Sequence, residues 1–238
     1  MHYERGDLQE AAKHVVLAEH GYAHLGIERQ RIKAVFLDGA IKYEALALAE
    51  ASATFQRIID FGEQAHDAVW IAKGSYARAN CELDRGNAAE ASILFLKALA
   101  IFCETGPEEN RIETDWGLAR VVLHGGKASD AARRLRDVIA AFEVMGRVGN
   151  AAVAGIDLAE ALLVLERWDE IAKVAAHAFR VLKKAGIVTG ALTALAYLKE
   201  AATKRHLTPA ALKAVREYLM RVEREPNLLF APPPSIPG

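Results

Sequence analysis

His20 and His24 stand four residues apart, the spacing that sets two metal ligands on one face of a helix. A third ligand is missing, because His14 falls near the opposite side of the same helix. The pair reads as surface histidines, and neither a metal nor another cofactor is expected. Glu108-Glu109 and Asp169-Glu170 are neighbouring carboxylates, but acid–base catalysis needs two acids in contrasting environments, and a solvated helical face supplies only one. No phosphate-cradling glycine loop and no Cys-x2-Cys pair occurs, and Gly125-Gly126 is accounted for by a turn between helices. No catalytic residue is therefore named; the chain is expected not to be an enzyme, and catalysis stands only as an alternative from another class. Arg133, Arg134 and Arg136 could meet phosphates, yet Asp130 and Asp137 sit among them. With 30 basic against 31 acidic residues the net charge is -1, which offers no general field to a nucleic-acid backbone, and no direct nucleic-acid partner is expected.

The elements that position these side chains follow from composition. Of 238 residues 52% are hydrophobic and 7% aromatic. There are 46 alanines and 7 prolines, and five of the prolines fall from Pro226 onward. Alanine is the strongest helix former and proline the weakest, so the fold class is all-α. Asp157, Glu160 and Glu166 interrupt even the richest apolar stretch, and the opening MHYERGDLQE has no apolar signal region. No membrane partner is expected, and the location is expected to be cytoplasmic. Cys81 and Cys103 are expected to be free, half-buried thiols at different ends of a helix pair, which fits a reducing compartment.

Shifting the chain against itself by one constant step, from Gly39 to Ala79 and onward, brings like residues into register. Gly39, Ala79, Ala119 and Ala159 share one small position, followed four residues on by Tyr43, Leu83, Leu123 and Leu163. Ala11, Ala51, Ala91, Ala131, Ile171 and Ala211 share the next. Val15, Phe55, Phe95, Leu135, Ala175 and Val215 follow four later, and Ala18, Ile58, Ala98, Val138, Ala178 and Tyr218 three beyond those. Steps of four and three trace one face of an α-helix. Gly26, Gly106, Gly146 and Gly186 are placed to cap the second helix of each unit, while Gly6, Gly86 and Gly126 mark the turn inside it.

Each unit is thus an antiparallel helix pair. The expected helices lie near 7–25, 28–46, 48–61, 66–85, 87–104, 109–125, 127–145, 149–166, 168–185, 188–205 and 209–224. Thr208 before Pro209 reads as an N-cap with proline at the first helical position. The units run at about 1–26, 27–65, 66–106, 107–146, 147–186 and 187–224, and 225–238 is a Pro-rich, extended tail whose Leu228-Leu229-Phe230 cluster either docks on the last pair or frays.

Ala79, Leu83, Gly86, Ala91, Phe95 and Ala98-Leu99 together resemble the tetratricopeptide repeat (TPR), a likeness covering about residues 3–224. The units here are longer than that family's, about 40 residues against about 34, and the Trp-x2-Leu-Gly opening is missing. Longer units of this kind resemble the repeats in sensor regions of bacterial signal-responsive regulators. The resemblance implies a right-handed superhelical solenoid whose concave groove is lined by the first helix of each pair. It places Phe36, Tyr76, Trp116 and Ile156 along the groove, with Lys33, Lys73, Glu113 and Val153 beside them. Ala40, Asn80, Arg120 and Glu160 fall in a further row, and Glu44, Asp84, His124 and Val164 in the last. Asn80 stands where the family often holds a peptide backbone. Arg120 and His124, four residues apart on one helix, are spaced to share a carboxylate.

The expected binding groove is therefore Lys33, Phe36, Lys73, Tyr76, Asn80, Trp116, Arg120 and His124, and the expected partner a protein or peptide. The alternative is a ligand-sensing domain of a transcriptional or signalling regulator. At the N-terminal end Tyr3 and Gly6 occupy slots that close a first helix elsewhere, and Leu8, Ala12 and Val15 keep an apolar face. This face is expected to self-associate or to meet an upstream domain within a larger bacterial protein. At the other end Lys213, Arg216, Glu217, Arg221 and Glu223 read as a polar cap.

Overall fold

Most helices of this chain end on a residue with positive φ. Such a residue occurs at 26, 46, 66 and 86, and again at 126, 146, 166 and 186. The repeating unit is thus two halves of equal length. At Gly86 the N–H donates to the Leu83 carbonyl at 2.9 Å and the Asn87 N–H to that of Glu82 at 2.8 Å. This six-to-one bond, with a shorter one nested inside it, satisfies carbonyls the helix leaves over. Glycine adopts the conformation readily, whereas Leu46, His66, Glu166 and Arg205 do so at about 1–2 kcal/mol each. Gly106 was expected to cap in the same way and does not: its φ is −92° and its ψ 161°. Pro107 follows it, and proline drives the preceding residue to extended backbone. Gly6 is likewise not a turn, because it lies in the first turn of the first helix.

The structure, a computed structural model, describes residues 5–186, 189–222, 225 and 228–232. Among them stand eleven helices and no strand: α1 (Arg5–His24), α2 (Glu28–Glu44), α3 (Leu48–Gln64), α4 (Ala68–Asp84), α5 (Ala88–Thr105), α6 (Glu108–His124), α7 (Ala128–Val144), α8 (Val148–Val164), α9 (Trp168–Lys184), α10 (Thr189–Thr203) and α11 (Pro209–Val222). Two starts are fixed by side chains. Asp67 accepts from the Val69 and Trp70 amides, and Thr208 Oγ1 from the Ala211 amide at 3.2 Å, ahead of Pro209 as its sequence suggests. Tyr3, Glu223 and most of the tail lie outside the described residues.

The chain divides into two compact units, His2–Val121 and Val122–Gly238. In the first, each of α1 to α4 packs on the next helix. The repeat register supplies the core: Ala51, Phe55 and Ile58 bury with Ile32, Val35, Trp70 and Cys81, and Ala79, Leu83, Ala91 and Phe95 with Ile59, Leu94 and Leu118. Gly39 is small because a Cβ there would lie 2.7 Å from the Phe55 ring. Val15 is only 7% exposed, packed with Ala34 and Ile41 of α2 and flanked by Leu8, Ala11, Ala12 and Ala18. The cysteines differ from expectation in opposite directions, Cys81 being wholly buried and Cys103 exposed. Burial, then the charges of Asp84 and Glu82, push the Cys81 thiol up to about 12.

One buried carboxylate ties three of these helices together. Glu82 accepts from Ser52 of α3 at 2.5 Å, from Arg85 at 2.9 Å and from Asn87, just ahead of α5, at 2.7 Å. Burial works to raise its pKa, but the bonds from Asn87 and Ser52 and the charge of Arg85 outweigh it and hold the group below the ordinary glutamate range. A carboxyl depressed in the fold contributes stability above its unfolded value and loses it as pH falls. Denaturant unfolding from pH 7 down to about 4 is therefore expected to show wild-type stability falling. Glu82→Gln should start lower at pH 7 and fall less steeply; parallel pH profiles would contradict this role.

In the second unit α7 to α10 each pack on the next helix, and α11 packs on both α10 and α8. Ala131, Leu135, Val138, Ile171, Ala175, Ala211, Val215 and Tyr218 are buried, which continues the same register. Arg216 is not part of a polar cap: it pairs with Asp157, wholly buried in α8, and lies 3.7 Å from Glu160. Of the other cap residues, Arg221 pairs with Glu225 at 2.9 Å and Lys213 with Glu217 at 3.8 Å. The tail docks. Tyr218 donates to the Leu228 carbonyl at 2.9 Å, and the Phe230 ring lies 5.5 Å from that of Tyr197 and 5.3 Å from that of Tyr218.

Candidate functional site

Helices α2, α4 and α6 carry the side chains proposed for recognition, because each turns the same register position to one side. Lys33, Phe36, Lys73, Tyr76, Asn80, Trp116 and Arg120 lie in the unit His2–Val121, and His124, exposed in the last turn of α6, in the other. Phe36 is half-buried, its ring 5.4 Å from Phe55 and 6.2 Å from Trp70, so it joins α2 to α3 and α4. Lys73 lies over the Trp70 ring, 5.5 Å from its centroid, and Lys33 is exposed. Tyr76 meets Phe95 edge-on at 5.9 Å, and Trp116 is half-buried.

The polar residues are bonded to one another. Asn80 donates to the Tyr76 carbonyl at 3.1 Å and accepts from Arg120 at 3.3 Å. Arg120 also donates to Asp84 at 2.8 Å, and the other Asp84 oxygen accepts from the Tyr43 hydroxyl of α2. This relay of Tyr43, Asp84, Arg120 and Asn80 runs across three helices that are 36 to 41 residues apart in sequence. Burial, followed by the charge and hydrogen bond of Asp84, pushes the Tyr43 phenol well above its ordinary range, so it stays a donor. Burial, then the charge of Glu113, raises Tyr76 in the same direction.

Side-chain exposures of 17% for Arg120 and 29% for Asp84 leave one edge of the relay open to a ligand. The arrangement can hold a polar main chain or side chain beside half-buried aromatic surface. Tyr43 enters the sequence register only as the residue that follows the small position Gly39. The signal for a polar role is that it places a phenol where the other units carry Leu83, Leu123 and Leu163. Two arginines of α7 are paired, Arg133 with Asp130 at 3.2 Å and Arg136 with Glu170 at 2.8 Å. His20 and His24 are exposed on α1.

No known family's sequence profile matches the chain, and no curated protein matches it. Among solved structures it is similar to the crystal structure of nearly identical TPR-like repeats from a Podosopora anserina protein described as a kinesin light chain. The TM-score is 0.59 at 17% identity, over 76% of this chain and 90% of that one. Helix pairs repeating at a constant register, with this structural likeness, define a TPR-like helical repeat fold. Among the described residues no helix is long and apolar enough to cross a membrane.

Proposed function

We propose that this chain binds an extended or helical segment of a partner protein along the face formed by Lys33, Phe36, Lys73, Tyr76, Asn80, Trp116 and Arg120; His124, expected with them, lies in the other unit. The observation that carries the reading is the relay across α2, α4 and α6. It holds Arg120 and Asp84 in place on the helices that also carry Trp116 and Tyr76, so less side-chain entropy is lost when a partner arrives. Buried aromatics are the usual anchors of interfaces, and the exposed lysine supplies the rim. Capture of partners from the native cell should be weakened by Trp116→Ala about tenfold and by Lys33→Ala much less. Crosslinks mapping to the α7 surface around Arg133 and Arg136, with both variants folded, would overturn the assignment.

The same reading takes 1–224 as the repeat domain and 225–238 as its tail, within a larger, cytoplasmic bacterial protein. Its support is the likeness of the long units to sensor regions of bacterial regulators, together with two free thiols. Self-association through α1 belongs to it as well. Leu8, Ala12 and Val15 already pack on α2, so a partner there would gain mainly from the exposed Val16 and Leu17. A second reading, a ligand-sensing domain, is favoured by an apolar slot in the other unit.

A further inference from the structure

Between α7 and α9, over α8, lies a cavity of about 330 Å³, within the size range of small-molecule sites. Its origin is visible in the register. Ala151 stands where α2, α4 and α6 have Arg31, Ile71 and Arg111, Ala152 where they have Ile32, Ala72 and Ile112, and Gly155 where they have Val35, Ser75 and Asp115. Of these four helices α8 alone carries a small residue at all three positions. The floor is therefore Ala151, Ala152 and Gly155, and Ile139 and Val174 form the walls.

Two side-chain pairs span the mouth from α7 to α9. Arg136 donates to Glu170 at 2.8 Å, and Glu143 meets His177 at 2.6 Å. Arg136 and Glu143 are seven residues apart, so the rungs are separated by about 10 Å along the helix. Both acids at the mouth are thus occupied. Lys173 sits on α9 between the rungs, exposed, with no ion-pair partner among the described residues.

We propose that this slot binds a small amphipathic anion, a medium-chain carboxylate whose apolar body lies on the Ala151–Gly155 floor and whose head group pairs with Lys173. A rung at each end favours a short molecule over a passing peptide, which would have to break both pairs to run through. The site is independent of the α2, α4 and α6 face, lies in the other unit, and does not rest on the reading given for that face.

Octanoate and the neutral octanol are suitable probes, titrated into the whole chain by calorimetry. Octanoate should bind saturably and more tightly than octanol. Lys173→Glu should weaken octanoate by about tenfold and leave octanol within about twofold. Gly155→Leu should abolish binding of both, because a Cβ there meets only Val174 at 3.5 Å and a longer side chain fills the cavity. Thermal unfolding of each variant reports its fold, and Lys173→Glu, on the surface, decides the matter even if the leucine variant does not fold. Absence of saturable octanoate binding, equal affinity for the two probes, or indifference to Lys173→Glu would each overturn the proposal. A slot that takes only the side chain of a partner protein would give the first of these results.

Discussion

Replacing Arg216 with methionine is expected to cost the fold of the second unit about 3–5 kcal/mol, because it strands a charge. The Asp157 side chain is 1% exposed in the middle of α8, and Arg216 reaches it from α11 with 21% of its own side chain exposed. Removing the guanidinium leaves the carboxylate either ionised without compensation or protonated at a cost, and both outcomes weaken the α8–α11 contact. Replacing both residues, Asp157→Leu with Arg216→Met, should recover most of the loss, since a buried pair returns little more than the desolvation it demands. Denaturant unfolding of the single and double variants, compared as a thermodynamic cycle, measures the coupling. Equal stability of wild type and Arg216→Met would show that the pair contributes nothing.

This pair also shows where sequence reasoning stops. The repeat register identified the core positions in both units, because burial of one helix face leaves a periodic apolar trace. Arg216 leaves no such trace. On its own helix it is one of several charged residues, and its partner lies on another helix far back in the chain, where Asp157 interrupts an apolar stretch. Polar pairing depends on three-dimensional neighbours, and an apolar period reports only which face is buried. The relay is similar: Asn80, Arg120 and Asp84 were placed on one face by the resemblance, but their bonding to each other and to Tyr43 follows from helix spacing. Turns were legible where glycine marks them and hidden where Leu46, Glu166 and Arg205 adopt the same conformation. The slot was hidden for the opposite reason, since small residues at three α8 positions look like ordinary alanine-rich helix until the matching positions are compared.

Gly62→Ala is expected to destabilise the first unit by about 1–3 kcal/mol, although alanine is the better helix former. Gly62 lies near the end of α3, where the chain turns back into α4. A Cβ there would stand 2.7 Å from the Ile71 amide nitrogen, 2.8 Å from Ile71 Cγ1 and 3.0 Å from the Asp67 carbonyl oxygen. Two of these are main-chain atoms, and neither is free to yield. The Ile71 amide donates to that same Asp67 carbonyl at 3.2 Å, and the Asp67 side chain caps α4 through Val69 and Trp70. Relief therefore requires α3 and α4 to separate, which loosens the packing of Ile58 and Ile59 against Gly74, where a Cβ would find 2.9 Å to Ile59 Cγ1. Gly21 in α1 is the internal comparison: a Cβ there meets nothing within 4 Å, so Gly21→Ala should stabilise the helix by about 0.5–1 kcal/mol. Thermal or denaturant unfolding of the two variants should move in opposite directions from wild type. A shift to higher stability in both would mean that helix propensity, and not the close approach of α3 to α4, governs Gly62.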